Sequence, residues 1–135
     1  MAKNVMEFTI EWGETDAAGI VFHPNYFRWF DLATHALFKA IGLPIAELTT
    51  QYGFAHPIVD VGCRFSSPLC YDDAVRLETT VVEVRGRTFR LEHKVFKGEI
   101  LSASGYELRA WVKKDNEGKI KAVSIPPGIA EKLKA

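Results

Sequence analysis

The sequence predicts an α+β fold: one long central helix wrapped by a curved antiparallel sheet of five to six strands. Three observations support this prediction. A single strand precedes an unusually apolar helical segment, segments of alternating apolar and polar residues follow it, and glycine-containing turns separate those segments. A run of strands after a helix is typical of α+β proteins rather than of alternating α/β proteins.

The strands are predicted from their alternation. The first covers residues 5–12, with Phe8, Ile10 and Trp12 on one face. The later strands are predicted at residues 58–65, 74–84, 88–96, 100–113 and 119–124, and a short helix follows Pro126-Pro127. Within the strand at 88–96, His93 falls on the apolar face, so we expect a hydrogen-bonded structural histidine there.

The helix is predicted at residues 24–41. Pro24 suits a first helical position because its missing N–H is not needed there, and Gly42 suits a C-terminal stop. Polar residues form one narrow stripe on this helix: Asn25, Arg28, Asp31, His35 and Lys39. A helix that is apolar around most of its circumference must be buried by other elements.

Length and composition limit the possible functions. The 135 residues are the size of one domain, predicted to span residues 1–135. Seventeen basic residues balance 17 acidic ones, which gives no electrostatic reason to expect nucleic acid as a partner. Cys63 and Cys70 form no zinc-spaced cluster, so we predict reduced thiols and no metal. Without a visible signal peptide or an apolar stretch of ~20 residues, a cytoplasmic protein outside the membrane is expected.

The loop before the helix carries the candidate chemistry. Asp16 lies among small residues, and the apolar run Ile20-Val21-Phe22 leads from it to the helix start. Free backbone N–H groups around His23, together with the helix dipole, suit a developing oxyanion. A carboxylate beside such donors is the minimum equipment for hydrolysing an acyl bond.

A structural role competes with this interpretation. An Asp in a loop before a helix is more often an N-cap or Asx-turn residue, and His23 before Pro24 fits a capping or surface histidine. Composition and spacing alone favour that structural role for Asp16.

A longer motif favours the catalytic interpretation of Asp16. The run Asp16-x-x-Gly19-Ile20-Val21-x-x-x-x-Tyr26, followed by Phe27 and Phe30-Asp31, resembles the 4-hydroxybenzoyl-CoA thioesterase family of hotdog proteins. The resemblance covers nearly the whole chain and continues, more loosely, at Pro57-Ile58-Val59, Tyr71-Asp72-Asp73 and Arg85-Gly86-Arg87-Thr88-Phe89. It implies a hotdog fold and hydrolysis of an acyl-CoA to a free acid and coenzyme A.

The resemblance also implies roles for residues. Asp16 would attack the thioester carbonyl or activate a water, and the backbone N–H of His23 would polarise the carbonyl. The acyl group would enter a pocket beside the helix at a dimer interface, with the nucleotide on the surface. No metal or redox cofactor is implied, because coenzyme A is part of the substrate. A sheet with free edges also favours a homodimer or a homotetramer built from dimers.

Candidate binding residues lie within this motif and at later positions of the chain. Those expected to contact the acyl group are Gly19, Ile20, Val21, Tyr26, Asp31, His56 and Pro57. Asp31 would bond a polar ring substituent; the alternative is pairing with Arg28 or His35 on the helix surface. Those expected to bind coenzyme A are Arg85, Arg87 and Thr88, although solvated turn arginines are an equal alternative.

Three other functions remain open. A hydroxyacyl dehydratase shares the hotdog fold, but the loop motif ahead of the helix matches the thioesterase branch. A non-catalytic acyl-CoA-binding module is also compatible, since a fold does not dictate function. Within thioesterases, His23 resembles a short-chain acyl-CoA branch associated with the Tol–Pal system, whereas Pro24-Asn25-Tyr26 is closer to the aromatic branch. We therefore expect an aroyl-CoA substrate, with short or branched aliphatic acyl-CoA as the alternative.

Overall fold

The computed structural model describes residues 1–135, and its largest element is a five-stranded antiparallel sheet. In chain order the elements are β1 (Lys3–Thr9), α1 (Pro24–Ala40), α2 (Ile45–Tyr52), β2 (Phe54–Ala55), β3 (Ile58–Phe65), β4 (Ala74–Arg85), β5 (Thr88–Lys97), β6 (Ile100–Ala110), β7 (Val112–Lys114), β8 (Ile120–Ala122) and α3 (Pro127–Lys134). The large sheet has the order β1-β4-β5-β6-β3, and a small sheet has the order β2-β7-β8. The predicted α+β class is confirmed.

Helix α1 begins and ends close to where the sequence predicts. Pro24 occupies its first turn, and the backbone N–H of Ile41 bonds to the carbonyl of Leu37 at 3.1 Å. Gly42 then adopts φ +79°, a left-handed conformation that glycine reaches without steric cost. The local stop signal therefore decides where the helix ends.

The core lies between α1 and the large sheet. The buried residues of the helix are Tyr26, Trp29, Phe30, Ala33, Thr34, Leu37 and Phe38. The facing side chains of β4 and β5 alternate as predicted, and the buried ones are Val75, Leu77, Thr79, Val81, Phe89, Leu91, His93 and Val95. Because the helix presents this face to the sheet, its N-terminus is held rigidly beside the loop that precedes it.

Gly105 of β6 allows α1 to approach the sheet closely. A Cβ at this position would overlap the ring of Phe30 and would lie 2.8 Å from the carbonyl of Gly62. We expect Gly105→Ala to lower the free energy of unfolding by about 1–3 kcal/mol, measured by urea denaturation, because the packed core must shift to admit the methyl group. Gly128→Ala is the control, since a Cβ there meets nothing within 4 Å. Equal stability of the two variants would contradict the close approach.

The first strand is shorter than predicted. It ends at Thr9, which pairs with Ala74, the first residue of β4, so no partner strand extends beyond that point. The chain then forms a short 3-10 helix over Trp12–Glu14, and the Trp12 side chain is 74% exposed rather than facing the core. The prediction for Trp12 is wrong because the alternation of apolar and polar residues continues beyond Thr9, whereas the pairing of β1 with β4 ends there.

The strand predicted at residues 100–113 is two strands. Trp111 and Val112 are both buried, whereas consecutive residues of a regular strand point to opposite faces. The backbone therefore bends after Ala110, and β7 leaves the large sheet to pair with β2 and β8. The strand predicted at 119–124 is the short β8 of that small sheet.

Helix α2 was not predicted from the sequence. It has eight residues and buries only Leu48, so its apolar periodicity is too weak to stand out. Gly53 ends it with φ +70°. None of the helices has the length and apolar character needed to cross a membrane.

Candidate active site

The loop that carries Asp16 is closed by short hydrogen bonds. The backbone N–H of Asp16 bonds to the carbonyl of Ile20 at 2.8 Å, and Gly19, with φ +80°, returns its N–H to the carbonyl of Asp16 at 3.0 Å. Oδ1 of Asp16 accepts the N–H of Ala18 at 2.8 Å. The Asx-turn interpretation is thus correct for one oxygen. Oδ2 has no partner in the chain, and the residue is exposed.

The base of this loop is fastened to the start of α1. The backbone N–H of Phe22 bonds to the carbonyl of Glu14 at 2.8 Å, and Nδ2 of Asn25 donates to the same carbonyl at 2.9 Å. Thr15 and Val21 form an isolated antiparallel bridge across the loop. The carboxylate of Asp16 is therefore held on a closed loop beside the helix N-terminus.

Glu14 anchors the loop from inside the protein. It is 7% exposed, and its carboxylate accepts hydrogen bonds at 2.8 Å from Nη2 of Arg28, Nε1 of Trp29 and the backbone N–H of Glu11. A buried carboxylate needs such donors, and three of them fix both of its oxygens. Glu14 was missed in the sequence because no spacing pairs it with Trp29.

The start of α1 offers an unused donor. The N–H groups of Asn25 and Tyr26 bond to the carbonyls of Phe22 and His23, whereas the backbone N–H of His23 makes no hydrogen bond within the chain. His23 has φ −54° and ψ −33°, and its side chain caps nothing. The N–H lies at the positive end of a 17-residue helix dipole, where partial negative charge is stabilised.

A cleft of about 290 Å³ opens beside this donor. Ile20, Val21, His23 and Tyr26 line one side, and residues 65–69, at the end of β3 and just beyond it, line the other. The rings of Tyr26 and Phe65 meet edge to face at 4.9 Å, and burial raises the pKa of the Tyr26 hydroxyl. The sequence predicted the first side of the cleft. It missed the second, which reaches the site only because β3 is paired at the sheet edge.

A buried ionic network lies under the middle of α1. Glu107 is fully buried; its Oε1 accepts hydrogen bonds from Thr34 at 2.5 Å and from Nε2 of His93 at 2.9 Å. Its Oε2 accepts Nη2 of Arg109 at 2.7 Å. Burial acts to raise the pKa of Glu107, but the bond from His93 and the charge of Arg109 outweigh it and lower the pKa to about 2. The expectation that His93 is a hydrogen-bonded structural histidine is confirmed.

Arg109 links this network to Asp31 and His56. Its Nη2 donates to Oδ1 of Asp31 at 2.8 Å, and its Nη1 donates to Nδ1 and to the carbonyl of His56, each at 3.1 Å. His56 is 6% exposed and stacks on Phe38, and burial together with Arg109 lowers the pKa of His56 to about 4. His35 approaches Asp31 only to 3.8 Å. The main partner of Asp31 is therefore a strand residue, and Arg28 pairs with Glu14 instead.

The two shifted pKa values predict a pH-dependent stability. The pKa of His56 is lowered from 6.5 to about 4, so its contribution is complete above pH 6.5 and is lost as the pH falls to 4. That of Glu107 is lowered from 4.5 to about 2, so its contribution is lost between pH 4.5 and 2. We expect the free energy of unfolding to fall continuously on acidification, with His56 contributing at most about 3 kcal/mol. Urea unfolding between pH 7.5 and 3 measures this.

A His56→Gln variant provides the control for that measurement. It should remove most of the slope between pH 6.5 and 4 and leave the slope at lower pH. An unchanged slope in the upper window would show that another group binds the proton.

The hairpin residues predicted to bind coenzyme A lie at the other end of the helix. Arg85 is exposed and pairs with Glu83 at 2.5 Å, and Arg87 and Thr88 complete the turn. The adjoining Phe89 packs on Phe38 near the C-terminus of α1, and the 17 residues of this helix span about 25 Å. Within one chain, the hairpin and the Asp16 loop are not brought together.

Most of the other predicted residues are close to the loop. The structure gathers Asp16, Gly19, Ile20, Val21, His23 and Tyr26 around the helix start. It places Asp31 and His56 together farther along α1, and leaves Pro57 exposed at the start of β3. Glu107 and Arg109 could have been predicted as buried residues from the sequence, because they lie on the same face of β6 as Ala103.

Known proteins resemble this chain along nearly its full length. Residues 10–133 match the thioesterase-like superfamily. The chain is 34% identical to 4-hydroxybenzoyl-CoA thioesterase of Pseudomonas sp. (strain CBS-3), over 97% of this chain and 98% of that protein. It is 28% identical to a 1,4-dihydroxy-2-naphthoyl-CoA hydrolase of Prochlorococcus marinus (strain NATL1A), over 92% of this chain and 79% of the relative.

Solved structures show the same similarity. The gentisyl-coenzyme A thioesterase BH1999 superposes with a TM-score of 0.86 and 36% identity, covering 98% of this chain and 100% of the other. A mutant 4-hydroxybenzoyl-CoA thioesterase in complex with 4-hydroxybenzoyl-CoA superposes with a TM-score of 0.89 and 31% identity, covering 98% and 99% of the two chains.

Proposed function

The chain belongs to the thioesterase-like superfamily and is an acyl-CoA thioester hydrolase with the hotdog fold, and we propose that its substrate is an aroyl-CoA such as 4-hydroxybenzoyl- or benzoyl-CoA. Relatives over most of its length carry the names of hydrolases for 4-hydroxybenzoyl-, gentisyl- and 1,4-dihydroxy-2-naphthoyl-CoA. The acyl-CoA thioesterase YbgC of Haemophilus influenzae, whose name specifies no acyl group, is 24% identical over 96% of this chain. Short or branched aliphatic acyl-CoA stays the alternative substrate.

One observation supports the catalytic assignment most directly. The free Oδ2 of Asp16 and the free backbone N–H of His23 belong to the two ends of one short loop, and the apolar cleft begins between them at Ile20. We propose that Asp16 is the catalytic carboxylate. Acting either as nucleophile on the thioester carbon or as general base for a water, it would generate a tetrahedral oxyanion.

The helix N-terminus would stabilise that oxyanion. The backbone N–H of His23 would donate to the carbonyl oxygen, and the donation would strengthen as negative charge develops there. Collapse of the intermediate breaks the carbon–sulfur bond, and the thiolate of coenzyme A leaves and takes up a proton. With water as the nucleophile, this step gives the free acid directly. With Asp16 as the nucleophile, it gives a mixed anhydride on Asp16, which a water then hydrolyses to the free acid, restoring the carboxylate. The products are the free acid and coenzyme A, so the proposed chemistry needs neither a metal nor a redox cofactor.

A dimer would complete the site. Strand β3 lies at the edge of the large sheet and exposes Ile58, Val59, Val61 and Phe65, by 39–56%. We propose a homodimer, or a homotetramer built from dimers, in which a second copy covers this edge. The hairpin with Arg85, Arg87 and Thr88 would then bind the coenzyme A of a neighbouring copy's site. The cytoplasmic location expected from the sequence stays a prediction.

A thiol-release assay tests the proposed substrate. The panel is 4-hydroxybenzoyl-, benzoyl-, phenylacetyl-, acetyl-, butyryl- and a long-chain acyl-CoA, each with and without EDTA. We expect the highest kcat/KM with the benzoyl compounds, and rates that EDTA does not change. A higher kcat/KM with acetyl- or butyryl-CoA would overturn the aroyl assignment. Binding of all six without thiol release would favour a binding module.

A further inference from the structure

The edge of α1 that starts at His23 leads to Asp31. Phe27 and Asp31 follow His23 at steps of four residues, so the three lie along one edge of the helix. Phe27 is half-buried against the core, and Asp31 is half-buried where it reaches Arg109 of β6. This edge therefore runs from the proposed oxyanion donor to the contact between Asp31 and Arg109 of β6.

The length of this edge fits one aromatic ring. Along the helix, His23 and Asp31 are eight residues and therefore about 12 Å apart. A hydrogen bond of about 3 Å at each end leaves roughly 6 Å for the distance between the carbonyl oxygen and a substituent on the ring. An aroyl group bound at His23 would thus direct its far side toward Asp31.

Asp31 is held through only one of its oxygens. Arg109 donates to Oδ1 at 2.8 Å, and Nε2 of His35 lies 3.8 Å from the same atom. Oδ2 has no partner in the chain. An ionised carboxylate only accepts hydrogen bonds, so the free oxygen suits a hydroxyl donor and opposes another carboxylate.

The side chain of Arg109 is itself held in place by Glu107 and His56. Its side chain is 4% exposed, Oε2 of Glu107 accepts from Nη2 at 2.7 Å, and Nδ1 and the carbonyl of His56 accept from Nη1. Since the guanidinium is planar and its donors are fixed in direction, these contacts also fix the point at which it meets Asp31. A Lys at this position would keep the charge but could not donate the same set of directed hydrogen bonds.

We propose that Arg109 is a specificity-determining residue: by holding Oδ1 of Asp31, it leaves Oδ2 aimed at a hydroxyl on the far side of the aroyl ring. The proposal rests on the proposed aroyl-CoA thioesterase function. Arg109 acts through Asp31 and does not touch the reacting atoms, so it is a positioning residue. Its removal should change the choice among acyl groups more than the rate of thioester cleavage.

The test compares 4-hydroxybenzoyl- and 3-hydroxybenzoyl-CoA with benzoyl-CoA, which lacks the donor. We expect the wild-type protein to prefer the better hydroxylated substrate by about 10- to 100-fold in kcat/KM, the range for a hydrogen bond to a charged group. Arg109→Lys should lower this preference about tenfold. A merely structural role of Arg109 would lower kcat/KM for all three substrates alike and leave their ratio unchanged. His35→Ala is the control and should keep the preference.

Asp31→Asn tests the same arrangement from the other side. Arg109 would hold the amide oxygen, so the NH₂ group would face the ring and donate instead of accepting. We expect this variant to lose the hydroxyl preference and to gain about tenfold on 4-methoxybenzoyl-CoA relative to 4-hydroxybenzoyl-CoA. Asp31 lies at the surface side of the network, so the variant should fold even if a change at buried Arg109 does not.

The possible outcomes distinguish the role of Arg109 from the aroyl-CoA thioesterase function on which it rests. A hydroxyl preference that survives both Arg109→Lys and Asp31→Asn in folded protein overturns the role of Arg109. Wild-type protein that hydrolyses benzoyl-CoA as fast as both hydroxybenzoyl-CoAs also overturns it, but leaves the aroyl-CoA thioesterase function standing. No release from any aroyl-CoA, with release from aliphatic ones, overturns the proposed function itself.

Discussion

Asp16→Asn is expected to lower kcat by about 10²- to 10⁴-fold if Asp16 is a general base, and by more if it is the nucleophile. The amide keeps an oxygen that can accept the N–H of Ala18, so the loop geometry should survive, and the exposed position carries little stability. Loss of turnover with KM nearly unchanged is therefore the expected signature. Thiol release with the best substrate of the panel measures it.

Asp115→Asn is the matched control for that experiment. Asp115 also caps a turn with its Oδ1, which accepts the N–H groups of Glu117 and Lys119 at 2.9 Å, but it lies away from the Asp16 loop. It should leave kcat at the wild-type value. If Asp16→Asn retains more than about a tenth of wild-type kcat, the carboxylate is not the catalyst, because general-base removal costs at least about 10²-fold.

His23→Pro should have the second largest effect, a fall in kcat of about 10²- to 10³-fold. Proline has no N–H, so the substitution deletes the proposed oxyanion donor, and the φ of −54° at this position is within the range that proline adopts. The N–H makes no hydrogen bond in the chain, so none is lost from the fold. Kinetics are measured beside circular dichroism and Tm to establish that the variant is folded.

His23→Ala separates the backbone from the side chain. It keeps the N–H and removes the imidazole, so we expect kcat within about threefold of wild type, as for an exposed side chain that makes no hydrogen bond. The assignment of the donor to the main chain fails if His23→Ala loses as much activity as His23→Pro. It fails equally if folded His23→Pro is fully active.

The sequence determined the local features of this protein. Alternation located the large-sheet strands, because each requires only that one face be apolar, and Pro24 and Gly42 marked the limits of α1 through their own backbone preferences. The loop around Asp16 was recognisable because its residues are contiguous. Where the same rule failed, at Trp12, alternation continued past the point where β4 could supply a partner.

Only the tertiary structure decided which distant residues meet. Arg109 bonds to Asp31 across 78 positions of sequence, and Trp29 reaches Glu14 across 15, because strand register and helix packing bring them together. Such contacts leave no local period in the sequence. The free N–H of His23 is by contrast a local result, because the N–H groups at the start of a helix have no intrahelical acceptor. The sequence by itself thus determined where the Asp16 loop lies, and the packing of α1 on the sheet decided what surrounds it.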